Sequence, residues 1–207
     1  MTRSIDKVEQ KWGENYPPSE CYVLHTPTPP EDLEVFRSCL KTADKESDLQ
    51  RFFETRPQLL RNLFAGFRQT WVIPHQRLGG EHVTDFVVGQ MSSEGFAWIA
   101  VELESPKSRI FTKSGDPTKE LTHAIRQILD WRAWINNNQN YAARSRLEGG
   151  LGLRHITSSM MGLILIGRKH EVDPSTNGRR RQLKTDLNIM IHTYDTFFED
   201  RDNWGSA

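Results

Sequence analysis

Two carboxylates lie one residue apart at the end of an apolar run: Glu102 and Glu104, in the stretch AWIAVELESP at residues 97–106. The preceding residues Trp98, Ile99 and Val101 favour a β-strand. Because alternate residues of a strand face the same side, we expect the two acids to project together from a segment suited to burial. Like charges so placed repel each other unless a cation lies between them. The pair is therefore a candidate metal site that needs a further ligand.

A third acid stands in the preceding apolar run, VTDFVV at residues 83–88, where Asp85 interrupts strand-forming residues. Turn-forming residues at 78–80 and 91–95 separate this run from a strand predicted at 69–74 and from the strand that ends in the acid pair. The three strands therefore predict an antiparallel meander in which Asp85 and Glu102 come from neighbouring strands. Ordinary charged strand ends are the alternative, but burying unpaired carboxylates is costly, which favours a metal site.

Helical patterns flank these strands. Residues 44–64 predict a helix with Asp44 as its N-cap and an interruption at Pro57. The most regular helical spacing covers residues 118–136, carries Gln127 and is expected to end at the asparagine run 136–138. An apolar strand is predicted at 160–166, followed by a helix at 179–186, a strand at 188–193 and a terminal helix beginning near 193–195. The order α-β-β-β-α-β, with a further helix and strand, predicts an α/β fold with a central mixed sheet flanked by helices.

Length and composition indicate one sizeable globular domain. The chain has 207 residues, of which 36% are hydrophobic and 10% aromatic. We expect an irregular, proline-rich N-terminal arm at residues 1–34 and a single domain at 35–207. The sequence contains neither an apolar run long enough to span a membrane nor the apolar core of a secretion signal, so we expect a cytoplasmic protein. Its two cysteines, Cys21 and Cys39, give little reason to expect a disulfide.

Net charge does not by itself indicate nucleic acid as a partner, because 27 basic residues balance 27 acidic ones. Any contact with DNA must come from local basic clusters. Two of these lie at 168–170 and 179–184. Such clusters are more often solvated surface than binding sites, so they do not decide the question.

The order of elements, with one acid on the second strand and an acid pair on the third, is similar to the restriction-endonuclease-like core of the PD-(D/E)xK nuclease superfamily. The amino-acid sequence around these acids indicates a more specific family. The run VELESPKSRIFTKSGDPTKELTHAIRQILDWRAWI, with the upstream FFETRPQLL and the late HTYD, closely resembles the nuclease domain of the Shedu antiphage defence proteins. The likeness extends from about Lys45 to Asp195.

The resemblance implies a role for individual residues. Asp85 corresponds to the first acid of the nuclease motif, Glu102 to the second, and Gln127 to a glutamine on the following helix. Glu46 matches an acid often found on the first helix of superfamily members. In these nucleases the acids hold Mg²⁺ or Mn²⁺, which activates water for attack on a DNA phosphodiester.

One position departs from the motif, because Glu104 stands two residues after Glu102 where the superfamily usually has lysine. A carboxylate cannot neutralise charge that develops on a phosphate, but it can be an additional metal ligand. Lys107 or Lys113 in the next loop would supply the missing cation if that loop folds back. We expect the cationic residues Lys107, Arg109, Lys113 and Arg126 to contact DNA.

The sequence thus leaves three hypotheses. The first is a metal-dependent DNA endonuclease in antiphage defence, acting on phage or other double-stranded DNA, with Lys107 completing the catalytic set of Asp85, Glu102, Glu104 and Gln127. The second is a catalytically degenerate protein that keeps the nuclease fold and binds DNA or regulates. The third is an assembly or sensor subunit whose N-terminal arm contacts another protomer; the resemblance implies a homo-oligomer.

Overall fold

The computed structural model describes residues 17–64 and 69–199. These residues include eight strands, five α-helices and five 3-10 helices. The strands are β1 (Tyr22–Val23), β2 (Gln69–Pro74), β3 (Arg77–Leu78), β4 (His82–Val83), β5 (Phe86–Ser92), β6 (Gly95–Leu103), β7 (Met161–Leu165) and β8 (Ile189–His192). The helices are α1 (Pro30–Thr42), α2 (Glu46–Thr55), α3 (Pro57–Asn62), α4 (Lys119–Ala143) and α5 (Asn177–Leu187).

Six of the strands form one mixed sheet in the order β1-β2-β5-β6-β7-β8. The neighbours from β1 to β6 are antiparallel, whereas β6, β7 and β8 run parallel to one another. The predicted meander of three strands is confirmed as β2, β5 and β6. The antiparallel and parallel halves of the sheet meet at β6. Residues at the carboxyl end of β6 therefore lie between β5 of the antiparallel half and β7 of the parallel half.

Each face of the sheet has its own hydrophobic core. Helices α1, α2 and α3 pack on one face, where Phe36, Phe53 and Leu60 share a hydrophobic core with the odd-numbered residues of β6, such as Ile99 and Val101. Helix α4 packs on the other face against the even-numbered residues, with α5 contributing partly buried leucines. This α/β architecture, with a mixed sheet between helical layers, confirms the predicted fold class and is that of a restriction-endonuclease-like core.

Asp85 was predicted inside a strand of residues 83–88, and that placement is wrong. β4 ends at Val83 and β5 begins at Phe86, so Asp85 lies in the short bend between them. The small hairpin of β3 and β4 turns the chain before it enters the sheet. Val83 and the apolar residues 86–88 flank the bend closely, which is why the stretch was interpreted as one continuous strand.

Two helix ends also differ from the prediction. Helix α4 does not stop at Asn136 but runs through the asparagines to Ala143, with a local kink at Asn138, where φ is −124° and ψ is 22°. The Asn138 side-chain amide donates to the Trp134 carbonyl at 2.9 Å, so this backbone acceptor near the kink is hydrogen-bonded. At the start of α2, Lys45 rather than Asp44 is the N-cap, and Asp48 accepts from the backbone N–H of both residues.

The remaining elements lie close to their predicted places. The break at Pro57 is confirmed, and the expected terminal helix is a 3-10 helix at Tyr194–Phe198. Residues 1–16 of the predicted arm lie outside the described residues, and α1 crosses the proposed boundary at residue 34, so the division into arm and domain stays a prediction. Among residues 17–64 and 69–199, no helix combines the length and apolar character needed to cross a bilayer.

The pairing of β5 with β6 can be tested at Gly89, which lies opposite Trp98. A Cβ at Gly89 would come within 2.5 Å of the Trp98 ring, and the indole N–H is tied to the Arg154 carbonyl at 2.8 Å. We expect Gly89→Ala to lower the free energy of unfolding by about 1–3 kcal/mol, measured by urea denaturation, because the ring has little freedom to move. Gly80→Ala is the matched control, since nothing lies within 4 Å of its Cβ position. Equal effects of the two substitutions would contradict the register.

Candidate active site

Glu102 is the buried centre of the candidate site. It lies near the end of β6 on the α4 face, with 3% of its surface exposed. Gln127 on α4 lies close enough to this carboxyl group to lower its pKa through a hydrogen bond. Among the described atoms, the carboxyl oxygen Oε2 is buried and has no hydrogen-bond partner. A buried oxygen without a partner is expensive, so this carboxyl group is poised for a ligand or a proton.

The position of Gln127 depends on how closely α4 approaches the sheet. The next residue, Ile128, is fully buried and packs over Gly162 of β7. A Cβ at Gly162 would lie 3.0 Å from Ile128, so the absent side chain allows the close approach. Gln127 is therefore held by the packing of its neighbour, which the helical spacing alone does not specify.

Asp85 is held against the end of β6 by backbone groups. Its Oδ2 atom accepts from the Leu103 backbone N–H at 2.7 Å. Its own carbonyl accepts from the His75 backbone N–H at 3.0 Å and from the Gln50 side-chain amide at 3.2 Å. These bonds place Asp85 beside Glu102 although it lies outside the ladder of the sheet.

Glu104 follows β6 and is fixed by its main chain. Its N–H donates to the Leu165 carbonyl at 2.8 Å, and its carbonyl accepts from the Tyr194 hydroxyl at 2.7 Å. Tyr194 is fully buried, and burial together with Asp85, Glu46 and Glu104 raises its pKa well above the ordinary range. Tyr194 thus supports the main chain of Glu104 and lies close enough to the acids to feel their charges. Sequence reasoning noted only that it belongs to the HTYD string.

Glu46, the first residue of α2, completes what we call the acid cluster: Glu46, Asp85, Glu102 and Glu104. It lies at the rim of the cluster, where much of its surface is exposed although its carboxyl group is partly shielded from water. Its charge nevertheless raises the pKa of each of the other three acids, so it lies near all of them. Glu120 near the start of α4 also raises the pKa of Glu104. The only sequence signal for Glu120 is its place in the first turn of a helix, where the helix dipole alone favours an acid.

Burial raises every pKa in the acid cluster, and repulsion by neighbouring acids adds to the rise at Asp85, Glu102 and Glu104. Burial, followed by the charges of Asp85, Glu46 and Glu104, raises the pKa of Glu102 to about 10. Burial is also the main reason that the pKa values of Asp85 and Glu104 rise to about 7. Partial burial raises the pKa of Glu46 as well. The four carboxyl groups therefore cannot all be ionised near neutral pH unless a cation joins them.

Lys107 does not supply that cation in this conformation. Its ammonium group forms an ion pair with Asp44 just before α2, and the Ser105 hydroxyl donates to the Asp44 carbonyl at 3.2 Å. Among the described residues, no lysine or arginine contributes to lowering the pKa of Glu102 or Glu104. The loop after β6 therefore returns toward α2 without neutralising the acids.

The other predicted DNA contacts occupy two places. Arg109 and Lys113 line a polar cavity of about 430 Å³ together with Arg179, which belongs to the second basic cluster. Arg109 is paired there with Glu171 at 3.0 Å, and Lys113 is exposed. Arg126 is exposed on α4, where it contacts His123 at 3.2 Å.

The donor atoms of the acid cluster suit Mg²⁺ or Mn²⁺, which prefer carboxylate and amide oxygens. The orphaned Glu102 oxygen and the raised pKa values are the features that a bound divalent cation would relieve. However, nowhere in residues 17–64 and 69–199 do three His, Cys, Asp or Glu side chains already stand in an arrangement that could hold a metal ion. The chemistry of the site fits a hard cation, but its coordination shell is not preformed.

A mixed sheet between helical layers, with acids gathered at the end of its central strand, defines a restriction-endonuclease-like α/β protein. The comparison with protein families is more specific. The chain belongs to the family described as Shedu protein SduA, C-terminal, whose family model matches residues 43–198. This range contains the whole acid cluster and confirms the resemblance seen in the sequence. No individual curated protein matches the chain.

The raised pKa of Glu102 predicts how stability depends on pH. Because the folded protein holds this proton more tightly than the unfolded chain, the stabilisation is complete below the ordinary pKa and is lost as pH rises toward about 10. In EDTA, we expect Glu102→Gln to melt about 3 °C or more above the wild type at pH 8, with the difference closing near pH 5. Differential scanning calorimetry measures both melting temperatures.

Glu94→Gln is the control for this experiment, because Glu94 is exposed in the turn at the opposite end of β5 and β6. We expect the same melting temperature for this variant and the wild type at both pH values. A difference between Glu102→Gln and the wild type that is the same at pH 5 and pH 8 would show that charge is not the cause.

Proposed function

We propose that this protein is a metal-dependent DNA endonuclease that hydrolyses phosphodiester bonds in defence against phage. Membership of the Shedu family supports the defence role. The observation that carries the proposed chemistry is Glu102, a buried carboxyl group with an orphaned oxygen that is surrounded by like charges. In a structural ion pair, each charge has a partner of opposite sign. The acids around Glu102 repel one another, so a bound cation would have to supply the opposite charge.

Each acid has a distinct task in this proposal. Asp85, Glu102 and Glu104 would hold Mg²⁺ or Mn²⁺, with Glu46 at the exposed rim. The bound ion would activate water and neutralise charge on the phosphate. Gln127 orients Glu102 through its hydrogen bond, and the Leu103 N–H fixes Asp85.

Cationic residues on the elements that follow β6 would bind the DNA backbone. Arg109 and Lys113 line the polar cavity, and Arg126 lies one residue before Gln127 on α4. Lys107 would exchange Asp44 for a phosphate, because both partners offer anionic oxygens to its ammonium group. In that exchange Lys107 would take over the part of the motif lysine.

A second candidate function is a catalytically degenerate protein that binds DNA or regulates. The observation that favours it is the carboxylate of Glu104 where superfamily members usually have lysine, together with the engagement of Lys107 by Asp44. Such a protein would bind DNA in a salt-sensitive way without cleaving it. We also expect a cytoplasmic homo-oligomer, and both of these expectations stay predictions.

The endonuclease proposal predicts cleavage that depends on the acids. We expect the wild type to convert supercoiled plasmid to nicked or linear forms with Mg²⁺ or Mn²⁺, and EDTA to stop the reaction. Asp85→Asn and Glu102→Gln should abolish cleavage while DNA binding in Ca²⁺ persists, because each removes one charge and little volume. Glu94→Gln should cleave like the wild type. Cleavage by Asp85→Asn and Glu102→Gln that is as fast as cleavage by the wild type would refute their assignment.

Substitutions at Glu104 distinguish the two candidate functions. If Glu104 is a metal ligand, both Glu104→Gln and Glu104→Lys should cleave more slowly than the wild type and bind Mn²⁺ more weakly in calorimetric titrations. A degenerate nuclease predicts the opposite pattern. In that case the wild type and Glu104→Gln would both be inactive, and cleavage would appear only in Glu104→Lys, where the ammonium group is restored.

A further inference from the structure

The backbone carbonyl of Asp85 belongs to a closed loop of hydrogen bonds that reaches α2. The carbonyl accepts from the His75 backbone N–H at 3.0 Å and from the Gln50 side-chain amide at 3.2 Å. The same amide nitrogen donates to Glu54 Oε1 at 3.0 Å, and this oxygen is also bonded to His75 Nε2 at 2.7 Å. We call these four residues the Asp85 network: Gln50, Glu54, His75 and Asp85.

The Asp85 network lies where an antiparallel ladder is interrupted. The ladder of β2 with β5 ends at Pro74 and Phe86, and the ladder of β3 with β4 resumes in the same register after two residues on each side. In this gap His75 has a φ of 48°, which is the left-handed region that costs a residue with a side chain free energy. Such a residue persists only where its surroundings hold it, and the contact with Glu54 does so here.

Gln50 is the buried member of the Asp85 network, with 7% of its surface exposed. Its amide nitrogen uses both hydrogens, one for Glu54 and one for the Asp85 carbonyl. Its oxygen Oε1 is buried and has no hydrogen-bond partner among the described atoms. Because a buried oxygen without a partner is costly, stability alone does not explain a glutamine at this position. The donation to Asp85 gives the residue a purpose.

The face of α2 that carries Gln50 also carries an acid of the cluster. Glu46, Gln50 and Glu54 recur at intervals of four residues and therefore lie along one side of the helix. Glu46 belongs to the acid cluster, Gln50 bonds the main chain of Asp85, and Glu54 bonds His75. Three successive turns of α2 are thus connected with the candidate site or with its support.

The Asp85 network and the Leu103 N–H hold different groups of one residue. The N–H donates to the carboxyl oxygen Oδ2 of Asp85 at 2.7 Å, which is the length of a charge-assisted hydrogen bond. The network holds the carbonyl of the same residue. A rotation of the main chain at Asp85 would move its carboxyl group away from Leu103, so fixing the carbonyl also fixes the direction of the carboxyl group.

We propose that Gln50 is a positioning residue for metal binding, because its bond to the Asp85 carbonyl holds the Asp85 carboxyl group where it can share a divalent cation with Glu102. This inference rests on the proposed function, since it takes Asp85 and Glu102 as metal ligands. Residues that orient metal ligands typically change metal affinity by about 10–100-fold when they are replaced. Gln50 acts through a backbone group, which places its effect at the lower end of this range.

Gln50→Met tests the proposal, because methionine keeps the length of the side chain and removes both donors. We expect this variant of the full chain to bind Mn²⁺ about tenfold more weakly than the wild type in calorimetric titrations without DNA. Gln58→Met is the matched control. The Gln58 amide on α3 also donates to a distant carboxylate, that of Asp32 at 2.8 Å, which lies outside the acid cluster. The control should bind Mn²⁺ like the wild type.

The Leu103 amide proton gives a readout that needs neither metal nor cleavage. In ¹H–¹⁵N NMR spectra of the metal-free protein at pH 8, we expect this proton to move upfield in Gln50→Met, because its bond to Asp85 Oδ2 weakens. The amide proton of Glu104, which donates to a carbonyl of β7 at 2.8 Å, should stay in place. Neither proton should move in Gln58→Met. A loss of overall stability would not produce this local difference.

His75→Asn extends the test to an exposed position, so that it stays decisive if Gln50→Met folds poorly. Asparagine tolerates a positive φ but is too short to reach Glu54, so this variant keeps the bend and opens the Asp85 network. We expect Mn²⁺ to bind about twofold to tenfold more weakly, which corresponds to the loss of one hydrogen bond. The Leu103 amide proton should again move upfield.

Either of two results would overturn the proposal. The first is an Mn²⁺ affinity that is unchanged in both Gln50→Met and His75→Asn, which would leave Gln50 with a role in folding alone. The second is a Leu103 amide proton that moves in neither variant. Failure of the proposed function would look different, because the wild type itself would then bind no Mn²⁺ or cleave no plasmid. In that case the Leu103 signal still shows whether Gln50 positions Asp85.

Discussion

The rest of the site depends on one physical constraint: the carboxyl group of Glu102 is buried among like charges at the end of the central strand. Burial and three neighbouring acids raise its pKa to about 10, and one of its oxygens has no partner in the described chain. A protein tolerates such a group only where the surrounding fold is stable enough to hold it. Here that stability comes from two hydrophobic cores, one on each face of the sheet.

The scaffold holds the acids mainly through their backbones and leaves their carboxyl groups largely uncommitted. Glu104 is tied by its N–H to Leu165 and by its carbonyl to Tyr194, while its side chain remains available. Asp85 commits one carboxyl oxygen to the Leu103 N–H. By contrast, the nearby cation Lys107 is committed to Asp44. The result is a site with excess negative charge, which explains both its suitability for a divalent cation and the importance of the missing motif lysine.

β6 carries two environments of opposite character. Its carboxyl end bears the acids, and its beginning lines an uncharged cavity of about 810 Å³. The 3-10 helix Tyr194–Phe198 contacts both: the Tyr194 hydroxyl donates to the Glu104 carbonyl, and Thr196 and Phe197 line the cavity. The acids and the cavity are separated because they lie at opposite ends of one strand. The side chains at each end of a strand can therefore have a different chemical character.

The sequence by itself determined the order of elements, the three strands of the meander and the identity of the acids, because periodicity and local propensity are properties of neighbouring residues. It misplaced Asp85 inside a strand, since apolar residues flank the bend on both sides, and it ended α4 too early, since the helix continues through three asparagines. Tertiary structure alone decided that the Tyr194 hydroxyl donates to the Glu104 carbonyl, that Lys107 pairs with Asp44, and that β6 and the 3-10 helix Tyr194–Phe198 line one cavity. Each of these contacts joins residues far apart in the chain, and local pattern carries no information about such pairs.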